Sequence, residues 1–152
     1  MDEGTAGRGR RLMAWVIDTC LVNNVLDADP EYGAISADLL DGKSTEGLFL
    51  CPVSFIELAP AFGGKLKRQE HFLRQINVDY TQDWTWVDTC QAFAGWHRYI
   101  TLKRSGKVSR RPVADLLIGA FSMRFDGLLT RNADDFTRLF PNLSILGPSA
   151  LC

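Results

Sequence analysis

The chain has 152 residues, 46% hydrophobic and 23% charged, with a formal net charge of −1. That is the make-up of one globular domain, not of a disordered chain or a uniformly basic nucleic-acid coat. Its four cysteines are far apart, with no Cys-x-x-Cys pair, which argues against a zinc site and for reduced thiols in a cytoplasmic protein. No apolar run approaches the ~18 residues of a membrane span, so no membrane partner is expected. "MDEGTAGRGRRL" has arginines without an apolar core behind them. Residues 1–12 therefore read as a flexible extension and not a signal peptide, with the domain over residues 13–152.

In chain order, "AWVI" (14–17) reads as a buried strand, and "TCLVNNVL" carries apolar residues at helical spacing. After the turn "DADPEYG", "AISADLLDG" reads as a helix stopping at Gly42. "GLFLCP" (47–52) is a second strand, and the helix behind it, "VSFIELAPAF", should end or kink at Pro60. "KLKRQEHFLRQI" is amphipathic, with Leu66, Phe72, Leu73 and Ile76 on its apolar side. A short strand at 77–80 precedes a long helix closed by Gly106, and "RRPVADLLIGAFSMRFDG" is a further helix with Pro112 in its first turn. "GLLT" (127–130), "ADDFTRLF" and "LSIL" (143–146) read as strand, helix and strand. Short apolar strands alternating with helices predict a single α/β/α sandwich around a mostly parallel sheet of four or five strands.

Such sheets bind ligands outside the carboxyl ends of their strands. Asp18 lies just past "AWVI", Glu57 lies five residues past Pro52, and Asn132 and Asp135 follow "GLLT". Asp115 opens a helix among apolar neighbours. Any one of them alone is an ordinary helix-capping or dipole-complementing acid. Together at one edge they would repel unless a cation neutralised them, and hard oxygen ligands select Mg²⁺, with Mn²⁺ able to substitute. "DTC" occurs at 18–20 and again at 88–90; the second copy opens a long helix, so Asp88 is expected to face solvent. His71 and His97 are the only histidines and neither is near these acids, so no histidine base is assigned.

Three stretches then resemble a known family, the PIN-domain nucleases and among them the VapC-type toxins. "VIDTCLV" resembles the family's opening motif and "CPVSFIELAPAF" its second. "RRPVADLLIGAFSMRFDGLLTRNADDFTRLFPNLSIL" is similar to its C-terminal half. The resemblance spans about residues 13–148. It implies a PIN-like fold and a Mg²⁺-dependent endoribonuclease that hydrolyses RNA with a metal-activated water. It also implies a cognate antitoxin as partner, and a homodimer. Carried over residue by residue, it makes Asp18, Glu57, Asp115 and Asp135 the catalytic acids and places the metal on Asp18 and Asp115. The fourth acidic position falls on either Asn132 or Asp135. Thr19 and Ser54 would hydrogen-bond the carboxylates or a substrate phosphate.

From Thr89 to Ala114 there is no acid but six basic residues, Arg98, Lys103, Arg104, Lys107, Arg110 and Arg111. A second basic group is Lys65, Lys67, Arg68 and Arg74. Beside an acidic metal site these surfaces favour a polyanion such as RNA. Arg110, Arg111 and Arg131 are the expected phosphate contacts. Two other readings stand against the nuclease. One is a catalytically weak PIN-like module that binds RNA or a protein, its metal site lowered in charge by Asn132. The other is an α/β phosphatase using Asp18 as nucleophile, disfavoured because the expected second aspartate is Cys20.

Overall fold

The computed structural model describes residues 14–106 and 112–148. Five strands, β1 (Trp15–Ile17), β2 (Leu48–Phe49), β3 (Val78–Asp79), β4 (Gly127–Leu129) and β5 (Ile145–Leu146), form one sheet in the order β3-β2-β1-β4-β5. Every pairing is parallel, with Val16 opposite Phe49 on one side and Leu128 on the other. The helices are α1 (Thr19–Leu26), α2 (Gly33–Lys43), α3 (Pro52–Glu57), α4 (Leu66–Gln75), α5 (Trp86–Arg104), α6 (Val113–Ser122) and α7 (Ala133–Thr137).

Side chains alternate across a strand, and the core divides accordingly. Ile17, Leu48 and Leu129 point to the face covered by Leu21 and Val22 of α1, Leu39 and Leu40 of α2, and Leu73 of α4. Val16 and Leu128 point to the opposite face, against Ile118 and Phe121 of α6 and Phe136 of α7. Outside that layer, Tyr99 of α5 packs with Leu116, Ala120, Leu139 and Phe140. The result is the expected α/β/α sandwich, with the sheet wholly parallel.

Three local expectations are corrected. α2 runs through Gly42 to Lys43, and the left-handed glycine lies later, at Gly47 (φ 98°). Leu66, the first residue of α4, is exposed, while Gln69 is buried and donates a 2.6 Å bond to the Phe55 carbonyl. Pro112 precedes α6 as its N-cap instead of entering its first turn. The break at Pro60 is as expected: α3 ends at Glu57 and a short 3-10 turn (Ala59–Phe62) follows.

Candidate metal centre

The sheet order reverses between β1 and β4, and parallel sheets open a crevice at such a point. Asp18 leaves β1 there and Thr130 leaves β4 beside it. Asp18 occupies the N-cap of α1 but makes no side-chain capping bond. Its Oδ2 instead accepts from Thr130 Oγ1 at 2.7 Å and from the Cys20 thiol at 3.3 Å. Thr130 Oγ1 in turn accepts from the Asn132 backbone N–H at 3.0 Å. The apolar run stops at residue 18 because this carboxylate is pinned between two strand ends.

Asp18 is 5% exposed. Burial pushes its carboxyl above the usual carboxylate range, against the bonds from Thr130, Cys20 and the Thr19 backbone, and the nearby charge of Asp135 adds to the rise. Burial likewise pushes the Cys20 thiol up to about 11, so it stays protonated and donates. Glu57, the last residue of α3, is exposed and accepts a 2.8 Å bond from Thr19 Oγ1. Asp115 is half-buried in the first turn of α6, the helix packed against α3. Asp135 lies exposed in the first turn of α7, and an open cleft is lined by residues 131–135.

Asp18, Thr19 and Glu57 are thus joined by bonds and Asp135 reaches Asp18 through its field, while Asp115 lies on a helix packed against the one that ends in Glu57. Among the described residues no three acids, cysteines or histidines form a ready-made cage. Mg²⁺ does not need one, since it commonly keeps several waters and takes one or two carboxylates. The donor set fits it: hard oxygens, and a buried carboxylate disfavoured as a free anion whose side-chain donors, Thr130 and Cys20, both bond Oδ2.

Other expected residues are placed differently. Ser54 is fully buried on α3, and among the described residues its Oγ has no hydrogen-bond partner, carboxylate or other. Asn132 contributes its backbone N–H, and its side chain caps nothing. Arg131 lies with its guanidinium 4.6 Å from the Tyr32 ring centre, beside Asp29. Arg110 and Arg111, like Lys107, fall outside the described residues. Arg98 is tied to the Leu139 carbonyl at 2.8 Å, a structural use of one expected basic contact. Asp88 reverses expectation. It is 0% exposed, completes a capping box with Thr85 and pairs with Arg124 at 2.7 Å. Its role is structural, but it is a buried one. Thr130 was missed, although a hydroxyl ending the apolar run "GLL" was its signal.

No protein-family model matches the chain, and no curated protein matches it. Solved structures do. VapBC2 from Rickettsia felis, bound to a DNA fragment from its promoter, is matched with a TM-score of 0.62 and 16% identity over 88% of this chain and 98% of that one. FitAcB from Neisseria gonorrhoeae gives 0.58 and 16% over 88% and 97%. VapBC-1 from nontypeable Haemophilus influenzae gives 0.58 and 18% over 90% and 98%. The fold is PIN-like. At this identity the likeness is one of architecture and extends over nearly the whole of each chain.

Proposed function

We propose that this protein is a Mg²⁺-dependent endoribonuclease of the VapC type, the toxin of a toxin–antitoxin pair. The observation that carries this is the bonded unit of Asp18, Thr130, Thr19 and Glu57, with Asp135 in its field, at the crevice of a PIN-like sheet. The structural neighbours are toxin–antitoxin complexes, which supports a protein antitoxin as partner.

Asp18 and Asp115 would hold the cation, which when bound would supply activation of water and stabilisation of charge on a phosphodiester. Thr130 and Cys20 fix the Asp18 carboxylate through Oδ2. Thr19 fixes Glu57, and Glu57 and Asp135 act at longer range on ordered water. Lys65, Lys67 and Arg68, all exposed on or beside the start of α4, supply attraction for an RNA backbone, and Arg131 sits at the cleft lined by residues 131–135.

Purified protein is incubated with RNA in Mg²⁺, Mn²⁺ or chelator. Cleavage that needs the cation and disappears in Asp18→Asn is expected; cleavage that persists in that variant, or in chelator, overturns the reading. The uncharged Asn132 and the absence of a three-residue cage among the described residues favour one alternative, a weakly catalytic module. Metal-independent RNA or protein binding without cleavage would select it.

A further inference from the structure

Between α3 and α4 lies an open, largely apolar notch of about 210 Å³. Ile56 of α3 and Leu66 of α4 line it, and both are unusually exposed for aliphatic side chains, at 71% and 60%. Gln69, nearly one turn beyond Leu66, lines it too and is only 2% exposed. Its Nε2 donates to the Phe55 carbonyl at 2.6 Å. A carbonyl can only accept, so the nitrogen is the end that faces it and Oε1 is the other. No donor among the described residues bonds that oxygen. Nor is it sealed in: the enclosed side-chain atom without a partner among the described residues is Ser54 Oγ. The notch therefore offers two apolar walls and, buried beside them, an acceptor that lacks a donor.

Chemistry narrows what fills it. An aliphatic side chain or an acyl tail would cover the walls but leave Oε1 buried without a partner, which is costly. A cationic head would supply a donor, but Lys65, Lys67 and Arg68, all exposed at the start of α4, repel it. A flat, uncharged ring with an N–H on its edge, carried on a negatively charged chain, meets every condition. A nucleobase of single-stranded RNA is such a ring, and its phosphates suit the three cations. The place agrees, because Ile56 directly precedes Glu57, the acid that Thr19 holds at the crevice.

We propose that this notch is a nucleobase subsite that selects a base carrying an exocyclic amine, adenine or cytosine. The ring lies against Ile56 and Leu66, and the amine donates to Gln69 Oε1. Uracil has carbonyl oxygens where the others carry the amine, so it meets that acceptor with like partial charge. Gln69 is thereby a specificity-determining residue. The proposal rests on the reading of the protein as RNA-directed, but it uses none of the acids of the metal centre. Base preference without cleavage in Mg²⁺ defeats the nuclease alone; cleavage without base preference defeats the subsite alone.

Fluorescence anisotropy of short labelled single-stranded oligomers of A, C or U, with the full-length protein in chelator, is the test. A and C should bind roughly ten-fold more tightly than U, the worth of about one hydrogen bond to a buried acceptor. Gln69→Met should bring A and C down to U, with circular-dichroism melting to check that the variant is folded. Purine riboside in place of adenosine deletes only the amine and leaves the protein untouched, and it should cost the same ten-fold. Ile56→Ser and Leu66→Ser, both on the surface, should weaken all three oligomers alike. Lys67→Ala should also weaken all three and reduce the salt slope by about one, with the preference for A and C intact. Equal binding of A, C, U and the purine oligomer by wild type overturns the proposal. So does a preference that survives Gln69→Met in a folded protein. RNA binding indifferent to Ile56→Ser and Leu66→Ser overturns it as well, and assigns the notch to a side chain of a protein partner if those variants lose one.

Discussion

At Asp18 a carboxylate is kept where burial alone would disfavour its charge, and three donors, Thr130, Cys20 and the Thr19 backbone, offset only part of that cost. Thr130 is the most consequential, because its hydroxyl both receives the Asn132 N–H and gives its own proton to Oδ2. Thr130→Val keeps the shape and removes the donor. Its expected effect is a fall in metal affinity or cleavage of about 10–100-fold, the usual range for a residue that orients a ligand, read from Mg²⁺ titrations of the cleavage rate. The second buried acid behaves differently. Arg124 bonds Asp88 through two nitrogens, bonds the Asp83 carbonyl, and lies over Phe121 and Phe125. Arg124→Ala strands a buried charge and should cost about 3–5 kcal/mol in urea unfolding, with cleavage per folded molecule unchanged. The letters "DTC" did not distinguish these fates. Each is set by a residue distant in the chain, Thr130 for the first copy and Arg124 for the second.

Among the elements, α5 and α6 pack closely, with the Phe140 ring against a glycine of each. A Cβ on Gly119 would meet ring carbons of Phe140, and one on Gly95 would meet Phe140 and Leu116. Phe140 is 1% exposed and has no room to yield. Gly119→Ala regains about 1 kcal/mol of helix propensity but overpacks by about 1–3 kcal/mol. The expected net is a lower melting temperature, restored when Phe140→Leu is added, as a double-mutant cycle would show. Elements of this kind were largely legible. "AWVI" and "GLLT" are apolar runs closed by polar residues, and Pro60 does end α3. Leu66 was misplaced because amphipathic spacing does not tell how far into its first turn a helix meets the core; Leu66 opens α4 and stays exposed. Likewise, a glycine inside a helix, such as Gly42, does not by itself show where the chain will turn.

For the molecule as a whole, the raised carboxyl of Asp18 couples stability to pH, and on the proposed reading to Mg²⁺ as well. A buried acid whose folded value lies above its unfolded one stabilises below the ordinary carboxylate range, and that contribution is lost as pH rises through the folded value. In chelator at neutral pH, Asp18→Asn should therefore melt higher than wild type, and the gap should close on acidification. Asp79, lowered by bonds from Thr81 and Gln82 that outweigh its burial, works in the opposite sense and is lost as pH falls. Mg²⁺ should raise the melting temperature of wild type by mass action and leave Asp18→Asn unmoved; equal shifts would count against a cation at Asp18. The 2.7 Å bond between Asp18 and Thr130 joins positions 112 residues apart, across a central strand that must wait for its neighbour. A ribosome that has finished β1, β2 and β3 has therefore made every strand on one side of the crevice and none on the other. On the proposed nuclease reading, a translation product truncated before β4 lacks Thr130 and Asp135 and should be inert.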